Sequence, residues 1–234
     1  LRWTPNPALQ VFSAHTQDLE LRVARHFASD SRPQMLIVRN EAIDGRWMLF
    51  DAPATWSEIL SHYVLIDIDP VNERLLLRTT SHPRLGLPHE MYQQTIRFGD
   101  TVGVPSGDEL QVLELHFEWN VRGVLRKVLF RVPQIRIEIE TGSGRTMLLR
   151  LMPATARNGI LLRPFAADFE SFQRLFGDLE GDSVVRFRLL QDAPECFQPV
   201  VRCVWRTIAR QPTGGGQGTM LLPVPGKASR TSRR

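Results

Sequence analysis

From Val132 to Pro164 the apolar positions fall on alternate residues. Ile135, Ile137 and Ile139 alternate with Arg136, Glu138 and Glu140. A period of two with one charged face predicts a strand half-buried in a sheet. Thr141-Gly142-Ser143-Gly144 follows as a tight turn, because glycine takes positive φ at no steric cost. Met147, Leu149 and Leu151 then alternate with Leu148, Arg150 and Met152, and Gly159 to Pro164 adds a third strand.

Further strands are predicted along the chain. Asp18 to Ala24 sets Leu19, Leu21 and Val23 against Glu20 and Arg22. Gln34 to Arg39, Trp47 to Phe50, Tyr63 to Ile68, Arg74 to Thr79 and Gln93 to Phe98 follow. In Gln111 to Trp119, Leu113, Leu115, Phe117 and Trp119 oppose Glu114, His116 and Glu118. Val124 to Val132, Val184 to Leu190 and Val200 to Ile208 complete the set, the last with Val201, Cys203 and Trp205 on one face. Leu9, Val11 and Phe12 read as a short edge strand, and Ser57 to Leu60 as a helical turn. One segment has a clear helical period: Phe169, Phe172 and Phe176 stand at i, i+3 and i+7, with Asp168 as N-cap and Gly177 as C-cap.

About twelve strands, one short helix and many Gly/Pro loops predict an all-β fold, an antiparallel β-sandwich of jelly-roll type. Alternating βα units, and with them a nucleotide-binding sheet, are not expected. The sandwich is assigned to residues 1–210, and 211–234 to a flexible Gly/Pro-rich basic tail. Each inward Ile or Phe should stabilise the fold by roughly 1.5 to 3 kcal/mol, so neither metal nor disulfide is needed.

Charge changes the picture little. The net charge is +4, and Lys227, Arg230, Arg233 and Arg234 in the tail account for all of it. A neutral body with a basic tail argues against a nucleic-acid partner. No run approaches the roughly 18 to 20 apolar residues of a membrane span. The start, LRWTPNPALQ, lacks the apolar core of a signal peptide, and its first residue is Leu; a piece of a longer chain is expected.

Several groups have types suited to chemistry. Asp67 and Asp69, two apart, could hold a divalent cation through oxygen, or could cap the amides of an Asp-Pro turn. His82, His89 and Glu90 have zinc-ligand types in an irregular loop, equally readable as a solvated loop. Glu114, His116 and Glu118 line one strand face, where a histidine between carboxylates would have a raised pKa; the alternative is a solvent face. Trp56, in a Pro-containing loop segment, is the best candidate to stack on a sugar ring, ahead of Trp47, Trp119 and Tyr92; core or loop packing is its other reading. Cys203 reads as a small buried apolar group, and Cys196 is near enough for a local disulfide in an oxidising compartment. Ser143 lies in a hairpin turn and not in a nucleophile elbow. Thus no catalytic residue, metal or cofactor is assigned, and Trp56, Asp67, Asp69, Glu114, His116 and Glu118 stand as candidate ligand-binding residues.

From about Gln94 the order of blocks is QTIRFGDTVGVPSGDELQVLELHF, VLFRVPQIRIEIETGSGRTMLLRLMP, NGILLRPFAADFESFQRLF, VVRFRLL and VVRCVWRTI. This order resembles the soluble β-rich domain that follows the membrane spans in bacterial polytopic envelope proteins of the glycosyltransferase or polysaccharide-assembly kind. The resemblance rests on Gln134 to Glu140, Gly142 to Gly144, Met147 to Met152, Gly159 to Pro164 and Phe169 to Phe176. It implies a non-catalytic, extracytoplasmic accessory domain, anchored by spans that precede Leu1 and contacting glycan or an envelope protein. The alternative is a polysaccharide-acting hydrolase or lyase on a sandwich scaffold.

Overall fold

A computed structural model of the chain describes residues 16–39, 47–129 and 133–212. It is mostly β, with antiparallel sheets packed against each other and a minority of helix. The elements run α1 (Gln17–Ala28), β1 (Met35–Arg39), α2 (Met48–Asp51), α3 (Pro53–His62), β2 (Tyr63–Asp69), β3 (Arg74–Thr79), β4 (His89–Arg97), β5 (Thr101–Gly103) and β6 (Leu110–Trp119). They continue with α4 (Val121–Leu129), β7 (Ile135–Thr141), β8 (Thr146–Leu151), β9 (Ile160–Arg163), α5 (Phe169–Asp178), β10 (Val184–Gln191) and β11 (Phe197–Ile208).

Two four-stranded sheets, β5-β10-β7-β8 and β4-β11-β6-β9, form the sandwich, and every pairing is antiparallel. Ile135, Ile137 and Ile139 of the first sheet are wholly buried, as are Leu113, Leu115, Val201, Cys203 and Trp205 of the second. Phe187 on β10 meets Trp205 on β11 across the interface at 6.1 Å between ring centres. The outer face of the first sheet carries a charge ladder set by register: Glu138 opposes Arg188 and Glu140 opposes Arg186, each as an ion pair. A third sheet, β1-β3-β2, is a separate antiparallel unit.

Helices cover part of the second sheet. Trp56 and Leu60 of α3 face Leu110, Val112, Leu161 and Ile208 across an apolar gap of about 20 Å³, room for roughly one water molecule. Trp56 also meets Phe172 and Phe176 of α5 edge-on at 6.2 Å. Arg84 ties the parts together: its buried guanidinium donates to the carbonyls of Tyr63, Phe176 and Gly177.

Helices exceed the one expected from sequence. The segment 18–24 is not a strand but the middle of α1. Glu20, Val23, Ala24 and Phe27, at i, i+3, i+4 and i+7, are its buried face. Thr16 caps it by accepting the N–H of Leu19, and acids at its start and bases at its end suit the helix dipole. Residues 48–50 are helical in α2, with Trp47 buried against Phe165. The strand expected over Val124 to Val132 is α4 as far as Leu129, and its last residues lie outside the described ones. Helix α5 runs past Gly177 to Asp178 and ends on Leu179 at φ 57°. The edge strand expected at Leu9 to Phe12, and nearly all of the tail, lie outside the described residues.

Candidate functional site

The sequence-derived candidates separate in space. Trp56 is 6% exposed and belongs to the aromatic core between α3 and α5, so its ring is not offered to a ligand. Trp47 is likewise buried, and Tyr92 is half-exposed but leans on Trp205. Asp67 and Asp69 lie on β2, in the third sheet, whereas Glu114, His116 and Glu118 lie on β6 of the sandwich. The Asp67 carboxylate accepts its neighbour's N–H (Ile68, 2.8 Å). Asp69 accepts the backbone and side-chain N–H groups of Asn72, and the side-chain bond is the main cause that holds its carboxyl below the ordinary value. Asp69 therefore serves the turn after β2, while Asp67 bonds a backbone amide within the strand.

On β6, Glu114 bridges two partners. It accepts from Arg206 Nε at 2.5 Å and lies 3.5 Å from His116 Nε2. Arg206 also reaches Glu90 at 3.8 Å. Burial and the nearby Arg202 lower the His116 pKa despite the hydrogen bond to Glu114, so the imidazole is neutral at pH 7. A raised value was expected; burial first, and then Arg202 opposite on β11, outweigh the carboxylate beside it. Glu118 is exposed. His82, His89 and Glu90 are exposed too, and among the described residues no group of three His, Cys, Asp or Glu side chains could hold a metal ion. Cys196 and Cys203 are free and buried.

The structure instead gathers polar groups where the β7–β8 turn meets the start of α5. An open cleft of about 500 Å³ lies there, lined by Ser143, Arg145, Asp168, Arg174, Glu180 and Asp182, among others. A second cleft of about 350 Å³, with Asp108, Arg163 and Arg210 on its walls, shares Glu180 and Gly181 with the first. The two form one polar trough.

Local sequence builds each wall. Gly144, at φ 84°, lets the turn close and present Ser143 and Arg145. Asp168 accepts the Ser171 N–H while Ser171 Oγ accepts the Asp168 N–H, both at 2.9 Å, a reciprocal cap that fixes the start of α5. The same carboxylate accepts from Arg145 at 2.7 Å. These bonds, the Ser171 N–H first, hold the Asp168 carboxyl below its usual range. Asp182 accepts from Ser143 Oγ and from the Ser183 N–H. Burial works against its anion, but those bonds and one from Thr141 together outweigh it and keep the pKa low. Phe165 and Asp182 pair as an antiparallel bridge, and a Cβ on Gly181 would stand 2.7 Å from the Phe165 carbonyl oxygen. Glycine there allows the approach that shapes the trough floor.

Chemically the trough offers fixed carboxylates, guanidinium groups and hydroxyls and no aromatic platform. Such a set can bind a polyhydroxylated or mixed-charge surface by hydrogen bonds. Sequence reading marked Asp168 as a cap and Ser143 as a turn residue but singled out neither for binding. Arg145, Glu180 and Asp182 carry no motif that would have marked them. The chain matches no protein-family model, no curated protein and no solved structure.

Proposed function

We propose that this chain is a non-catalytic binding module, the extracytoplasmic accessory domain of a membrane-anchored bacterial envelope protein, and that its trough contacts glycan hydroxyls. The observation that carries the reading is the trough: its volume suits a small saccharide, and the carboxylates of Asp168 and Asp182 are favoured as anions and already oriented by their neighbours. Preorientation lowers the entropy cost of binding. Membrane anchoring rests on the resemblance alone; among the described residues no helix is long and apolar enough to cross a membrane.

The hydrolase alternative is less well supported. A glycosidase general acid needs a raised pKa, and both Asp168 and Asp182 are shifted the other way. A nucleic-acid partner is also disfavoured, since Arg136, Arg186 and Arg188 on the outer face of the first sheet each hold a carboxylate.

Calorimetric titration with neutral envelope oligosaccharides tests the reading. Millimolar to micromolar affinity is expected, weakened about tenfold or more by Asp182→Ala. Equal affinity of wild type and variant would refute the site, and hydrolysis of the oligosaccharide would refute the non-catalytic reading.

A further inference from the structure

Strand β4 is an open edge. It runs nine residues along β11 on one side, and among the described residues no strand pairs with its other side. Both main-chain groups of Arg97 engage Asp100: the N–H donates to Oδ2 at 2.8 Å, and the carbonyl accepts the Asp100 N–H at 3.2 Å. They are thus turned away from β11. By the alternation of an antiparallel ladder, the N–H and carbonyl groups of Thr95 and Gln93 point the same way, onto the open edge.

Such edges are normally guarded by shortness, charge or proline. The other three edges of the sandwich are guarded: β5 has three residues, β9 has four and runs into Pro164, and β8 carries Arg150. In β4 the six residues Met91 to Ile96 hold no charge, proline or glycine, and Met91, Tyr92, Gln93 and Thr95 are exposed. Its one irregularity, a bulge at Met91, leaves Tyr92 to Arg97 in unbroken register.

This edge is complementary to itself. A two-fold axis through Gln94, normal to the sheet, would set β4 of a second copy antiparallel to it. Gln93 then opposes Thr95 of the second copy, and the two equivalent pairs can exchange four main-chain hydrogen bonds. Tyr92 opposes Ile96 of the second copy on the inner face, where Tyr92 leans on Trp205 and Ile96 is buried. With the bulge counted, Glu90 opposes Arg97 of the second copy, so an acid meets a base at both ends. Both side chains are exposed on the outer face, where Glu90 pairs with Arg206 and Arg97 with Val200. Within its own chain Glu90 stands 3.8 Å from Arg206, which lies closer to Glu114, and Arg97 makes no ion pair among the described residues. An unrelated extended peptide would meet the same open amides without matching the charge at both ends. We propose that β4 is the interface of a homodimer, in which the four-stranded sheets of two copies join edge to edge through the register centred on Gln94. The inference does not depend on the trough, none of whose walls comes from β4.

The test uses the full 234-residue chain. One strand pair is smaller than a standard interface, so a weak dimer, with a dissociation constant of about 10 to 500 µM, is expected in sedimentation equilibrium. Arg97→Glu should weaken it about tenfold or more by setting two acids against each other, and Glu90→Arg/Arg97→Glu should restore it to within about threefold of wild type. These side chains are exposed, so circular dichroism should not change. Gln94→Cys gives a second readout. Directly opposite residues of a non-hydrogen-bonded pair stand about 4.5 Å apart at Cα, within disulfide range. Copper–phenanthroline should therefore link Gln94→Cys into dimers at least about tenfold faster than Val71→Cys, which is exposed on the β2–β3 turn. Cys196 and Cys203 are buried and stay out of this reaction. A chain that remains monomeric at about 1 mM would overturn the proposal. So would a dimer indifferent to Arg97→Glu, a charge swap that fails to restore it, or equal linking rates for the two cysteine variants.

Discussion

The carboxylate of Glu20 accepts the backbone N–H of Ala54 at 2.7 Å, so a side chain of α1 caps the start of α3. Glu20 is wholly buried and is also held by Asn158 Nδ2. Burial raises its pKa from 4.5 to about 7, even though both hydrogen bonds favour the anion. Over the interval between 4.5 and about 7 the folded chain retains a proton that the unfolded chain has released. The stabilisation is therefore full below the unfolded value, falls as pH rises, and is gone above the folded one. About 3 kcal/mol is at stake. Chemical denaturation across this range should show wild-type stability falling with pH, and Glu20→Gln should flatten the slope. Parallel profiles for the two proteins would contradict this.

Arg84 joins the end of α5 to the start of β2 through buried carbonyls. Arg84→Ala leaves those oxygens without donors, and a loss of about 3 to 5 kcal/mol is expected in urea unfolding. Arg84→Lys should recover only part of it, because an ammonium cannot reproduce the planar fork. A loss under about 1 kcal/mol for the alanine variant would show that the clamp is not structural.

Gly123 inverts the usual helix rule. In an open helix, Gly→Ala gains about 1 kcal/mol. Here the added methyl would meet the Cys196 carbonyl, so Gly123→Ala should cost about 1 to 3 kcal/mol by overpacking. Thermal unfolding would report it, and a raised melting temperature would mean that α4 is not seated as described.

The two thiols should be silent in the folded chain. Burial pushes the Cys203 thiol up to about 12, and Cys196 is 1% exposed. A thiol reagent should label neither in native buffer and both in denaturant. Native labelling at the rate of free cysteine would contradict their burial.

The sheets were legible because their period of two spans whole strands, as in Ile135 to Ile139 and Leu113 to Phe117. The first helix was not. Leu19, Leu21 and Val23 alternate over five residues, too short a run to exclude a helix, and the buried Glu20 looked like the wet side of a strand. The cues for the helix were present in Thr16 and in the Val23–Phe27 spacing. In α4, Asn120 and the positions 121, 124 and 125 held the same information. The trough was harder to see. Ser143, Asp168 and Asp182 meet only after the β7–β8 hairpin and α5 dock, and no local pattern records that meeting. The reverse happened at Trp56, where a Pro-containing segment that looked like a loop is a helix packed on Phe172.

The central claim is that the trough is the ligand site. Amide chemical-shift mapping during titration with neutral envelope oligosaccharides tests it most directly. The account predicts shifts concentrated at Ser143, Arg145, Asp168, Gly181 and Asp182, and their loss in Asp182→Ala. Shifts that are absent at saturation, or that cluster on β2 or around His116 instead, would contradict it.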